Sequence, residues 1–178
     1  MTNDMEQLNR INFRNCLEAL ARPGDIFPLL PFVGSNIMAM ATMLLYSEVG
    51  FYQEIDVDWD LIKVLTNTVE VERGAADYLF LQSSREDILS AVKSGDQQNP
   101  EFSAVLICAC EDLGRGIRVN LTGPGINGVK RTTLPVSGNF LNLLAAKNSQ
   151  FPLGVELFLI ADSDEICALS RTTRVEIV

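Results

Sequence analysis

The chain has 178 residues, 47% of them hydrophobic and 21% charged, and its 23 acidic against 14 basic side chains give a net charge of -9. The length suits a single domain over residues 1–178 with ordinary globular composition, and the acidic balance argues against nucleic acid as a partner, because phosphate-backbone binding needs surplus Lys and Arg to release counterions. The sequence holds no histidine, which removes Ser-His-Asp and Cys-His nucleophiles, His-ligated metals and His general bases together.

From the N-terminus, Met-Thr-Asn-Asp-Met-Glu lacks the positive start and apolar run of a secretory signal, so a cytoplasmic location is expected. Phe13, Cys16, Leu17, Leu20 and Ala21 fall at helical spacing within residues 8–22, and Pro23-Gly24 ends that helix. An extended stretch follows over residues 25–32. Gly34-Ser35-Asn36 then offers cap chemistry for a uniformly apolar, buried helix over residues 36–46. That run is far shorter than the roughly 20 residues a bilayer-spanning helix needs, so no membrane insertion is expected.

Residues 51–57 read as a strand. Asp58 caps a short helix carrying Leu61, Ile62 and Leu65 that turns near Asn67. Residues 77–82 read as a buried strand, and Ser84-Arg85-Glu86-Asp87 as a capping box opening a helix to about residue 94. After a polar loop over residues 95–100, strands 103–110 and 116–122 are expected to pair as a hairpin, followed by the loop Gly123-Pro124-Gly125-Ile126-Asn127-Gly128. Next comes a helix over residues 137–148 with Phe140, Leu141, Leu144 and Ala145 on one face. Strands 155–161 and 165–169 flank an Asp-Ser-Asp turn, and a short strand over residues 172–177 ends the chain. The expected fold is α/β, one domain with a mixed, mainly parallel sheet flanked by helices and hairpins as antiparallel edges.

Several constellations carry possible chemistry. Cys16, Cys108, Cys110 and Cys167 fit neither a disulfide framework nor a CxxC pair and read as reduced core residues; Cys108 and Cys110 share a strand face, but no second cysteine pair complements them as metal ligands. Asp56, Asp58 and Asp60 alternate like the first ligands of a calcium loop, yet Leu61 and Asn67 stand where Gly and Glu are required. No metal site is expected. Pyridoxal phosphate chemistry needs a Schiff-base lysine, and only Lys63, Lys93, Lys130 and Lys147 exist, Lys130-Arg131 being best placed and none in a recognisable motif; exposed solubilising charge is the favoured reading. No cofactor is expected.

Two segments are anion candidates. Gly123-Pro124-Gly125 can offer backbone N–H groups to phosphate, but it opens no helix and lacks the Gly-Lys-Ser/Thr of a P-loop, which favours a tight turn. Arg171-Thr172-Thr173-Arg174 can hold phosphate or carboxylate. In a strand its two arginines would face opposite ways, and Arg171 tying the tail down through a buried acid or backbone carbonyls is an equal alternative.

Four segments together resemble the H-subunit family (PhnH) of the bacterial carbon-phosphorus lyase core: Phe13-Arg14 to Ala21-Arg22-Pro23-Gly24, Leu121-Thr122-Gly123-Pro124-Gly125-Ile126, Phe151-Pro152-Leu153-Gly154-Val155-Glu156, and Arg171-Thr172-Thr173-Arg174-Val175-Glu176. Ser170 departs from the proline the family often has before R-T-T, and residues 45–51 lack its aspartate. The resemblance implies a degenerate relative of the pyridoxal-phosphate transferase large domain without the cofactor lysine. It also implies a homodimer assembled with G, I and J subunits that form a ribose 1-alkylphosphonate 5-triphosphate from ATP and alkylphosphonate before C-P bond cleavage. On this reading the chain is an accessory subunit with no catalytic residue of its own. Gly123, Gly125, Arg171, Thr172, Thr173 and Arg174 are candidate ligands for a nucleotide or phosphonate. The rival readings are a small-molecule binding module and a free-standing pyridoxal-phosphate enzyme.

Overall fold

In the computed structural model, which describes residues 2–178, helix α1 (Thr2–Ala21) begins several residues before the periodic apolar stretch. Met, Glu and Gln are good helix formers, and an acid in the first turn suits the positive end of the helix dipole. The last turn closes with Arg22 N–H donating to Glu18 O at 2.9 Å, just before Pro23. The buried Asn12 grips the extended segment beyond: its Nδ2 donates to Leu30 O at 2.8 Å and its Oδ1 accepts from Leu30 N–H at 2.9 Å.

Strand β1 (Ile26–Pro28) leads to α2 (Asn36–Leu44), whose first turn is capped by Ser35 Oγ accepting from Met38 N–H. Then come β2 (Gly50–Gln53) and α3 (Trp59–Thr66), capped by Asp58 and closed by Asn67 in the left-handed region, as its sequence predicts. Next are β3 (Val69–Glu70), β4 (Tyr78–Leu81) and α4 (Glu86–Ala91). A 3-10 turn (Pro100–Phe102) precedes β5 (Val105–Cys110), β6 (Ile117–Thr122) and β7 (Lys130–Leu134). The chain ends with α5 (Gly138–Lys147), β8 (Glu156–Ala161), β9 (Glu165–Leu169) and β10 (Arg174–Ile177).

Seven strands form one mixed sheet in the order β1-β9-β8-β5-β4-β2-β3. Neighbours from β8 to β3 run parallel, while β9 is antiparallel to both β8 and β1. The α/β, mainly parallel architecture is therefore as expected. Because strand side chains alternate, each central strand feeds two cores. Phe51, Phe80, Ile107, Phe158 and Ile166 pack with residues of α1, α2 and α3, whereas Leu81, Leu106, Cys108, Leu157 and Leu169 pack with residues of α4, α5 and a second sheet ordered β10-β6-β7.

Three expectations are corrected. Strands 103–110 and 116–122 form no hairpin: β5 lies between β4 and β8, while β6 pairs with β7 and β10. Val-Leu-Ile-Cys-Ala-Cys is apolar on both faces and suits a central parallel strand, but Ile-Arg-Val-Asn-Leu-Thr alternates and needs one wet face. The capping box at Ser84 does not form. Arg85 occupies the cap position and its guanidinium holds Asp87 at 2.6 and 3.0 Å, which together with Arg73 keeps the Asp87 carboxyl below its ordinary range. The last strand starts at Arg174, because Thr173 N–H donates to Ser170 O at 2.9 Å in a turn.

Candidate functional site

The four segments singled out in the sequence touch in series. A Cβ on Gly125 would lie 1.9 Å from Ala21 O, and one on Gly123 would lie 2.8 Å from Thr172 O, so the glycine loop is wedged between the end of α1 and the tail. Gly123 O accepts from Ile126 N–H at 3.1 Å across Pro124 and Gly125, and Gly125 sits at φ +82. Proline followed by a residue at positive φ is the signature of a type II turn, so the tight-turn reading holds. Ala21-Arg22-Pro23-Gly24 also meets β6, because Gly24 faces Leu121.

The tail meets the remaining segment through Arg171. Its Nε donates to Glu156 Oε1 at 2.7 Å, and its backbone N–H to Glu156 Oε2 at 2.7 Å. Nη1 donates to the carbonyls of Pro100 at 2.8 Å and Pro152 at 3.1 Å, and Nη2 to Ser103 Oγ at 2.7 Å. The ion pair is largely shielded, with 17% and 18% of the two side chains exposed. Arg171 thus does what the structural alternative required of it, and its fork is turned to protein carbonyls and a carboxylate.

The other tail residues are placed differently. The Thr172 and Thr173 hydroxyls each lie 3.0 Å from Ser170 Oγ. Arg174 is exposed and unpaired among the described residues. Thr172, Thr173 and Arg174 line a cleft of about 580 Å³ with Asn148, Ser149 and Phe151, and Arg171 lies on the same wall. Gly123 and Gly125 are not part of its lining. The geometry brings the tail hydroxyls and one free guanidinium together, with the glycines as scaffold behind them.

A second cleft, of about 480 Å³, opens where β4, β5 and β8 end, lined by Gln82, Ser84, Cys110, Glu111, Asp112 and Asp162 among others. The carboxyl ends of parallel strands are where open α/β sheets commonly bind ligands. The residue after each buried strand was the sequence signal for it. Its chemistry is acidic, and Arg115 is drawn to Asp112 at 3.3 Å. Burial, then the Asp162 charge, pushes the Cys110 thiol up to about 12, and burial raises Cys16 to about 12 and Cys167 to about 11. Such thiols are poor nucleophiles at neutral pH.

Each of the lysines has a partner. Lys63 pairs with Glu70 at 3.1 Å, Lys93 with Asp77 at 2.5 Å and Lys130 with Asp25, while Lys147 donates to Val92 O at 2.8 Å. Burial lowers the pKa of Lys147.

Comparison with known proteins adds family information. The family described as "Bacterial phosphonate metabolism protein (PhnH)" matches residues 2–176. The chain is similar to a putative C-P lyase subunit protein, HtxG, of Stutzerimonas stutzeri, at 29% identity over 171 residues covering 93% of this chain and 84% of that protein. It is also similar to the alpha-D-ribose 1-methylphosphonate 5-triphosphate synthase subunit PhnH of Rhizobium meliloti (strain 1021), at 37% identity over 83 residues, 46% of this chain and 41% of that protein.

Proposed function

The chain belongs to the PhnH family of bacterial phosphonate metabolism proteins, and from that premise we propose that it is an accessory, non-catalytic subunit of a carbon-phosphorus lyase complex. In that role it is needed for forming α-D-ribose 1-alkylphosphonate 5-triphosphate from ATP and alkylphosphonate, ahead of C-P bond cleavage. The observation that supports this reading best is what Arg171 holds. Through Nη1 it ties the Pro100 and Pro152 carbonyls to one point. Their neighbours Phe102 and Phe151 are 58% and 70% exposed. Solvent-facing aromatic side chains on loops whose backbone is anchored suit a docking platform, since aromatic residues are enriched at interfaces. The proposal extends to a homodimer, to G, I and J subunits as partners, to a cytoplasmic location, and to a degenerate pyridoxal-phosphate-transferase fold without the cofactor.

Deletion of the gene, followed by growth on methylphosphonate as sole phosphorus source, tests the role. Growth is expected to fail, to return with the wild-type gene, and to stay impaired with Phe102→Ser/Phe151→Ser, whose product co-purifies poorly with the other subunits. Normal growth of the deletion strain sinks the proposal.

A second reading, a nucleotide- or phosphonate-binding module, is favoured by the free Arg174 beside Thr172 and Thr173. On that reading ATP or an alkylphosphonate raises the thermal midpoint of the purified chain.

A further inference from the structure

The outer face of the small sheet carries a second cluster of cations. Val119 and Leu121 of β6 are buried, so the alternating Arg118 and Asn120 face outward. In the register with β7, Arg118 stands opposite Thr133 and Asn120 opposite Arg131, which makes Arg118 and Arg131 diagonal neighbours on one face. They line a cavity of about 640 Å³ with Asn120 and Thr133, and Val178 closes its rim by donating its N–H to Arg118 O at 3.0 Å.

Neither guanidinium has an ion pair or hydrogen bond among the described residues. Arg22, Arg73, Arg85, Arg115 and Arg171 hold carboxylates, and of the other five arginines, which hold none among the described residues, Arg118 and Arg131 line one cavity together. In a chain with 23 acids and 14 bases a carboxylate partner is easy to supply. Two neighbouring cations left without one repel each other, and a bound anion relieves that repulsion. Glu176, the acid opposite Asn120 on β10, is engaged instead with Asn120 Nδ2 at 3.4 Å. The Asn120 Oδ1 beside the cations is buried and accepts no hydrogen bond among the described residues.

We propose that this face binds a tetrahedral oxyanion of the phosphate or phosphonate type. A planar carboxylate is satisfied by one guanidinium fork, whereas two forks from separate strands suit a head group with several outward oxygens. The cavity is larger than one head group needs, leaving room for the rest of an ester. The site is separate from the Arg174 cleft and does not depend on the subunit role.

Titration calorimetry of the full chain at low salt tests it, with tripolyphosphate, ATP and methylphosphonate as probes and citrate as the carboxylate control. Saturable binding of at least one phosphorus oxyanion, tighter than citrate, is expected, and comparing the probes separates polyphosphate from phosphonate as the source. Arg118→Gln and Arg131→Gln should each weaken it about tenfold, the loss of a charged hydrogen bond. Arg14→Gln and Arg174→Gln should change it less than about twofold. Arg118→Lys/Arg131→Lys, which preserves charge and folding, should bind more weakly than the wild type. The idea is overturned by no saturable binding, by equal binding of citrate, by equal losses from Arg14→Gln, or by a loss confined to Arg174→Gln. It is likewise overturned if Arg118→Gln/Arg131→Gln binds the probes normally and loses only partner subunits, which would assign the face to an acidic protein surface. Growth of the deletion strain reads the subunit role independently of all these outcomes.

Discussion

Replacing Arg171 by alanine would leave the Glu156 carboxylate shielded and unpaired, and would remove the donors that the Pro100 and Pro152 carbonyls share. Stranding one member of a shielded pair is costly, so Arg171→Ala is expected to lose about 3 kcal/mol in urea unfolding. Arg171→Lys keeps the charge, but one ammonium cannot span a carboxylate, two carbonyls and a hydroxyl, so it should recover less than half of the loss. A loss below about 1 kcal/mol for the alanine variant, the range of an ordinary surface pair, would contradict this account. The sequence left two roles open for Arg171 because the acid could not be named. It was nearly within reach: the β8–β9 hairpin was legible, and its register, Leu157 opposite Leu169, carried one step further brings Glu156 to the tail. What no local pattern encodes is that loops as distant as Pro100 and Pro152 converge on the same guanidinium.

At the scale of elements, the joint between α1 and the small sheet depends on a turn that admits no side chain. Gly125 and Gly128 both adopt positive φ, +82 and +75, but a Cβ on Gly125 would meet Ala21 O at 1.9 Å while one on Gly128 meets nothing within 4 Å. Gly128→Ala should therefore show only the left-handed backbone cost, about 1 kcal/mol. Gly125→Ala adds a clash with helix backbone and should lose about 3 kcal/mol or more. Equal urea midpoints for the two variants would show that the helix end is not seated on the turn. The turn and the helix end were both readable from Pro and Gly, but their contact was not. The strand after the turn was missed because Lys-Arg-Thr-Thr-Leu has one apolar residue; β7 exists because β6 offers it an edge, and Lys130 faces the molecule with its charge held by Asp25. The hairpin error has the same origin. Two adjacent strand-like runs look like partners until their patterns are compared, one apolar on both faces and the other on one.

Across the whole molecule, one sheet serves two cores, and this bears on how the chain unfolds. Trp59, the only tryptophan, stacks on Phe51 at 4.9 Å in the layer with α1 to α3. Cys108 is buried in the opposite layer with α4, α5 and the small sheet. Strand β5 joins them, sending Ile107 to one side and Leu106 and Cys108 to the other, so loosening either layer exposes the sheet that the other needs. Urea unfolding followed by Trp59 fluorescence is therefore expected to share one midpoint with Cys108 labelling, located by peptide mass spectrometry, although chains beyond about 150 residues often unfold in steps. Labelling of Cys108 at lower urea than the fluorescence change would mean that the layer carrying the small sheet opens as a separate unit. In that case the Arg118 and Arg131 face would ride on the more labile part of the molecule, and an anion bound there should delay Cys108 labelling and leave the Trp59 transition unmoved.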